Sequence, residues 1–318
     1  MAPASPNVSV IIPARDAAGH IGDAVRSALA QPEVGEVVVA AADLATRRAA
    51  EAVVDPRVRT VENPTGTTPA ALNRALAVSS GALIVRCDAH AVLPPGYVKR
   101  ILETMASTGA ANVGGRQVPK GETVFEEAVA LAMVSPIGAG DARYRIGGAA
   151  GPVDTVYLGA FSRTAIEGVG GFDETLVRNQ DYELNWRLRA AGGTVWFDPD
   201  LAVTYRPRGT VTALWRQYFE YGFWKRIVLR RHPGSLRWRQ LMPPALVTAL
   251  AASVILVPVD RRLAAATPAA YLALTTGAGV LDAVRTRRAA ALLEPVALWT
   301  MHLSWGSGFI AGQLSGRR

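Results

Sequence analysis

Residues 82–90 read ALIVRCDAH, an apolar run that closes on an acid and a histidine. Ala82–Asp88 has the composition of a buried strand. Upstream the same element recurs. Thr68–Val78 opens on Thr, carries Pro69 in its first turn and continues rich in Ala and Leu, the pattern of a capped helix. Before it, Arg57–Glu62 reads as a strand, Leu44–Val54 as a helix and Glu36–Ala42 (EVVVAAA) as a strand. Ile21–Ala30 fits a helix, and Val8–Pro13 (VSVIIP) a first strand. Strands alternating with helices in this way imply parallel βαβ units in a sheet covered on both faces, an α/β class. Ligands of such sheets bind at the carboxyl ends of the strands. Pro13–Asp16, Asp43 and Asp88–His90 all follow strand ends and are expected along one edge. There is no P-loop and no strand-coupled G-x-G-x-x-G. Ile137-Gly138-Ala139-Gly140 follows no strand and reads as a loop.

Asp88-Ala89-His90 is the first motif with chemistry in it. A carboxylate at a strand end can hold a divalent cation against a diphosphate. Residues i and i+2 of an extended chain share a face, so Asp88 and His90 can reach one ion. An Asp with an imidazole suits Mn2+ somewhat better than Mg2+. By itself the motif is equally a turn, with His90 capping the next segment.

Composition bounds the rest. Half of the 318 residues are hydrophobic (50 %), 19 % are charged and one is cysteine. That excludes a disordered chain, a disulfide scaffold and a collagen-like repeat. Cys87 alone makes neither an internal disulfide nor a thiolate cluster, so a reducing compartment is expected. The net charge is +8. All of that excess lies in residues 205–239, where nine Lys and Arg face Glu220 alone. Met242–Val259 then runs 18 residues without a charge, and Leu263–Leu281 another 19. Ala289–Leu314 is apolar except for Glu294, His302 and small polar residues. A bilayer-crossing helix needs about 20 residues, so about three spans are expected. The basic block precedes the first span and puts residues 1–241 on the cytoplasmic side of a multi-pass inner-membrane protein. Arg285, Arg287 and Arg288 agree with this; Arg261 and Arg262 fall on the opposite side. No charged segment followed by an apolar one opens the chain, so no signal peptide is expected. Thr212–His232 interleaves Trp215, Tyr218, Phe219, Tyr221, Phe223 and Trp224 with basic residues. Base stacking is one use of such a segment. An interfacial helix beside membrane spans is the better fit, so no nucleic-acid partner is expected.

Six stretches carry a resemblance. They are SVIIPARDAAGHI (9–21), NPTGTTPAALNRAL (63–76), IVRCDAHAVLPPGYV (84–98), VDTVYLGAF (153–161), GGFDETLVRNQDYELNWRLRAAGG (170–193) and YRPRGTVTALWRQYFEYGFWKRIVLRRHP (205–233). In this order they resemble the inverting glycosyltransferases of family 2, which have the GT-A fold, and within that family the ExoA-like group of succinoglycan-biosynthesis enzymes. The resemblance implies a Rossmann-like catalytic domain over 1–205, a basic aromatic interfacial segment over 206–241 and a transmembrane region over 242–318. It implies a nucleotide-sugar donor, UDP-linked by expectation, gripped by Pro13, Ala14, Arg15 and Asp16, with Asn73 and Asp88 also at the donor. It implies a divalent cation, Mn2+ or Mg2+, on Asp88 and His90, and Asp181 as catalytic base. The expected acceptor is a lipid-linked saccharide in cell-surface polysaccharide or glycolipid synthesis.

Each residue also has a plainer reading. Asp181 also reads, less well, as an acid favoured by the dipole at a helix start. Glu183 is the reserve base. Trp186 and Arg187 are expected to be packing and surface residues. Gly170-Gly171-Phe172-Asp173 is a tight loop near the acceptor or an ordinary turn. The sequence departs from the family in three places. Ala40-Ala41-Ala42 stands where the second strand usually ends in an Asp, and Asp43 comes later. No His lies near Tyr205-Arg206 to complete the cation's ligands. The Q-x-x-R-W signature of processive synthases is not evident, so single-sugar addition is expected. A sugar nucleotidyltransferase and a catalytically silent partner in a glycan-assembly complex remain as alternatives.

Overall fold

The computed structural model describes residues 8–314 and divides into two compact units. The first holds the chain up to Val118 together with Gly147–Thr204, and the second Pro119–Ile146 with everything from Tyr205 onward. The outer limits of the expected domains, residues 1 and 318, lie outside the described residues.

The first unit opens as the alternation predicts. β1 (Val8–Ala14), α1 (Ile21–Leu29), β2 (Val34–Ala41), α2 (Leu44–Glu51), β3 (Val58–Glu62), α3 (Thr68–Val78) and β4 (Leu83–Arg86) follow in turn. α4 (Tyr97–Thr108) and β5 (Asn112–Pro119) come next. The strand order starts β3-β2-β1-β4, with all three pairings parallel. Both sheet faces are covered. Val10, Ile12, Val37, Val39 and Val85 turn to a core that takes in residues of α1 and α4. Ile11, Val38, Ala40 and Ile84 turn to the other, which takes in α3. This is why β1, β2 and β4 read as apolar runs rather than as alternating ones.

The far half of the sheet is antiparallel. β6 (Gly151–Pro152), β7 (Tyr157–Ser162), α8 (Arg163–Gly168), α9 (Gln180–Ala190) and β8 (Val195–Tyr205) complete the unit. β7 runs antiparallel to both β4 and β5, and β6 to β8. The sheet is therefore mixed. Strand direction there is set by pairing between segments distant in sequence, which local periodicity does not record.

The second unit is helical. It holds α5 (Val124–Val134), α6 (Pro136–Ala139), α7 (Arg143–Ile146), α10 (Val211–Arg231), α11 (Met242–Leu256), α12 (Arg261–Thr286) and α13 (Glu294–Leu314). The Ile137–Gly140 segment, expected as a loop, is mostly the short helix α6. α10 and α13 approach through glycines. A Cβ on Gly222 would overlap the Trp305 carbonyl, and one on Gly308 the Phe219 carbonyl. Small residues at such a crossing let two backbones come close.

The basic segment is only partly a surface. Lys225 is buried at 3 % exposure and donates to the Ser235 carbonyl at 3.0 Å. Arg230 donates to the Gly312 carbonyl, and Arg226 lies over the Phe309 ring at 5.6 Å.

Two helices, Trp238–Leu256 and Arg261–Thr286, are long and apolar enough to cross a membrane. Their apolar side chains lie largely outside: Val254 is 72 % and Ile255 74 % exposed. That is not the burial of core helices in a soluble domain. The third expected run forms α13, whose Glu294, Ala297, Leu298 and Met301 are buried, the last three in one core with residues of α5 and α10.

Candidate active site

The carboxyl ends of the parallel strands form one continuous edge. The N–H of Ala42 donates to the Ala14 carbonyl at 2.9 Å, that of Asn63 to Ala41 at 2.8 Å, and that of Cys87 to Ile11 at 3.1 Å. Strand order reverses between β1 and β4, so the chain leaving β1 and the chain leaving β4 flank the crevice where open α/β sheets take their ligands.

On the β1 side lie Pro13, Ala14, Arg15 and Asp16. Pro13 and Ala14 are the last residues of the strand; Arg15 and Asp16 are exposed beyond it. Asp16 has a positive φ of 51°. Its N–H donates to Oδ2 of Asp43 at 2.9 Å. Asp43 is the N-cap of α2 and accepts from the Thr46 N–H at 2.8 Å and the Thr46 hydroxyl at 2.8 Å. Thr46 Oγ1 in turn accepts from the Ala17 N–H at 2.9 Å. The N–H groups of Thr46 and then Asp16 hold the Asp43 carboxyl below the usual carboxylate range. Both Asp43 oxygens are thus committed to shaping the loop after β1. Beside it, Gly66 has φ +67° and no side chain, and a Cβ there would lie 3.5 Å from Arg15 Nη1.

On the β4 side the strand ends at Arg86, two residues earlier than the sequence suggested. Asp88 to Ala91 form a turn, with the Ala91 N–H donating to the Asp88 carbonyl at 2.9 Å. Asp88 and His90 are therefore turn residues, and the extended-chain reason for their sharing a face does not hold. His90 is exposed and Asp88 partly buried. Cys87 is buried, and burial first, then the Asp88 charge, pushes its thiol up, away from any nucleophilic or ligand role.

The residue that sequence reasoning missed is Arg86. The residue is 7 % exposed. Its Nη2 lies 2.8 Å and its Nε 3.0 Å from Oδ1 of Asp88, while its Nη1 pairs with Oδ1 of Asp181. Burial by itself lowers the pKa of this guanidinium, but the Asp181 and Asp88 carboxylates outweigh it and the value is raised. Breaking a buried pair of this kind costs about 3–5 kcal/mol. The signal was present: a charged residue inside an otherwise apolar strand has to find a partner.

Asp181 sits in the first turn of α9, after Asn179 in the left-handed conformation. The helix is fixed from below. Leu184 and Leu188 are in the sheet core. Asn185 accepts from Asn112 Nδ2 at 2.6 Å and donates to Thr155 Oγ1 at 3.0 Å. Glu183, the reserve base, is 2 % exposed and paired with Arg187 Nε at 2.7 Å. Arg187 is more than a surface residue: it donates to the Gly171 carbonyl at 2.7 Å and to that of Val169. Asn73 grips the same loop, donating to the Phe172 carbonyl at 2.8 Å and accepting from the Phe172 N–H at 2.9 Å.

Residues 9–170 match the family model described as glycosyl transferase family 2. The chain belongs to that family. It is 32 % identical over 321 residues to the succinoglycan biosynthesis protein ExoA of Rhizobium meliloti (strain 1021), covering 97 % of this chain and 96 % of that one. A mannosyltransferase of Pyrobaculum calidifontis, PcManGT, solved in complex with GDP-Man and Mn2+, aligns with TM-score 0.60 at 20 % identity, over 98 % of this chain and 88 % of that one. At that identity the likeness is one of fold: the GT-A architecture is shared. The protein is a glycosyltransferase of the ExoA-like group.

The donor set can be tested against a divalent cation. Among the described residues, no three or more His, Cys, Asp or Glu side chains gather as a cation cage. Asp88 keeps Oδ2 without a hydrogen bond from any described residue, and His90 stands in the same turn. By donor type, a carboxylate oxygen with an imidazole suits a cation that arrives with a diphosphate and keeps several waters, as Mg2+ and Mn2+ do.

Proposed function

We propose that the protein transfers one sugar, with inversion, from a nucleotide-diphosphate sugar to a lipid-linked saccharide, in the assembly of a cell-surface polysaccharide. The observation that carries this reading is the pair Asp88 and Asp181, held by one arginine through Oδ1 of each, with no hydrogen bond from the described residues on Oδ2 of either.

The loop Pro13–Asp16 receives the nucleotide, a UDP by expectation, and Asp43 keeps that loop in shape. Asp88, with His90, would hold a divalent cation, which supplies counter-charge to the departing diphosphate. Asp181 takes the proton of the acceptor hydroxyl on Oδ2. The acceptor oxygen forms its bond to the anomeric carbon from the face opposite the diphosphate. The bond from that carbon to the diphosphate oxygen breaks, and its electron pair leaves with the nucleoside diphosphate. One displacement inverts the configuration.

The membrane part of the reading rests on the exposed apolar residues of α11 and α12 and on the basic residues that precede them in the chain. Exposed Arg216, Arg231 and Arg237 suit lipid phosphates, at about 1 kcal/mol per basic residue near an anionic surface. The catalytic unit is then cytoplasmic and the acceptor lies in the inner leaflet. ExoA, by its name a succinoglycan biosynthesis protein, supports polysaccharide assembly as the setting. Transfer to a short-chain lipid-diphosphate sugar, compared with the same free sugar in detergent, tests the acceptor. The lipid-linked form should be used far better. Equal use of the free sugar contradicts a lipid acceptor.

A further inference from the structure

Arg86 is the last residue of β4. Alternation along the strand puts it on the side of Ile84, whose core also contains Leu184 and Leu188 of α9. A guanidinium in that position reaches the first turn of α9 with one arm and the turn after β4 with the other. It does both: Nη1 engages Asp181, and Nε and Nη2 engage Asp88. It takes Oδ1 of each carboxylate and leaves Oδ2 of each.

We propose that Arg86 is a positioning residue that sets the base of the reaction against the donor's carboxylate. The inference rests on the reading of Asp181 as base and Asp88 as donor residue. In a single displacement the acceptor oxygen and the leaving oxygen stand on opposite sides of one carbon. The base and the group that steadies the diphosphate must then keep a fixed separation. Asp181 and Asp88 lie on different elements, a helix start and a strand-end turn. Among the described residues Arg86 is the side chain that bonds to both, and its planar fork fixes direction as well as distance. Its charge is permanent, so the two acids stay in place with or without substrate. It makes no contact with substrate in this scheme and moves no proton.

Lysine keeps the charge but not the fork, and as a point charge it cannot hold both carboxylates in register. The test measures single-turnover rate and donor affinity for Arg86→Lys, Asp181→Asn and the double variant. The donor is the sugar nucleotide that the wild-type chain hydrolyses fastest from a panel of UDP- and GDP-linked hexoses. We expect Arg86→Lys to lose about 10²-fold in rate, the scale of an ångström of misplacement, with donor affinity within about twofold of wild type. The double variant should be no slower than Asp181→Asn alone, because Arg86 acts through Asp181. Losses that multiply, with Asp181→Asn itself slowed about 10²–10⁴-fold, overturn the role of Arg86 and leave the base standing. Asp181→Asn at near wild-type rate overturns both. Weaker donor binding at unchanged rate makes Arg86 a donor residue and overturns the proposal. Thermal unfolding in detergent accompanies each variant, with Arg86→Gln as the second substitution. If neither Arg86 variant folds, the residue is scaffold and the proposal fails.

Discussion

The backbone N–H of Asp16 donates to Oδ2 of Asp43 across 2.9 Å, tying the loop after β1 to the first turn of α2. One side chain therefore caps a helix and shapes the loop after β1. It stands just past the strand end where the family usually has an Asp for the nucleotide base.

Asp43→Ala should cost about 1 kcal/mol at neutral pH, as other lost N-caps do, and should weaken donor binding. The folded-state pKa is depressed, so the stabilisation is fully present above the unfolded value and is lost as pH falls through the folded one. The difference in unfolding temperature between wild type and Asp43→Ala should thus narrow below about pH 4. A gap that stays constant or widens in acid would show that the carboxylate charge is not what holds the loop.

Asn73 and Phe172 exchange two hydrogen bonds. Asn73→Ala releases the Gly170–Asp173 loop from α3, at about 1 kcal/mol per bond. The expected consequence is a raised KM for the acceptor with donor affinity nearly unchanged, read by titrating each substrate separately. A raised donor KM alone would instead assign Asn73 to the nucleotide sugar, the role the family resemblance implied.

Asp88→Ala should abolish transfer and, because it removes one of the two partners of buried Arg86, lower the unfolding temperature by several degrees. Chelator should abolish wild-type transfer, and Mn2+ or Mg2+ should restore it. Full activity under chelation would remove the cation from the mechanism.

Gly222→Val puts branched carbons where the Trp305 carbonyl lies. Overpacking of this kind costs about 1–3 kcal/mol, so the variant should unfold at lower temperature in detergent. Unchanged stability would mean that α10 and α13 do not depend on close approach.

The parallel half of the sheet was legible in the sequence because β1, β2 and β4 are largely buried on both faces and α3 carries a start signal in Pro69 of its first turn. Val10, Ile11 and Ile12 are all fully buried, and the run VSVIIP shows it. The antiparallel half was not legible. β7 gains its place beside β4 through Leu83↔Ser162 and Val85↔Ala160, pairings that no local pattern encodes. At the site, Asp88 and Asp181 could be named from motif and resemblance, but not their joint hold on Arg86. That depends on α9 being seated by Leu184, Asn185 and Leu188, three contacts made only in the folded chain. The extended-chain geometry assumed for Asp88 and His90 fell for a related reason: β4 stops at Arg86, and the next residues turn.

The mechanism stands or falls on a single displacement at the anomeric carbon. Purified protein, its preferred sugar nucleotide of known anomeric configuration and a short-chain lipid-diphosphate sugar should yield a product whose new linkage is read by proton NMR. The expected product has the configuration opposite to that of the donor. A product that keeps the donor configuration would contradict direct attack by an acceptor that Asp181 deprotonates.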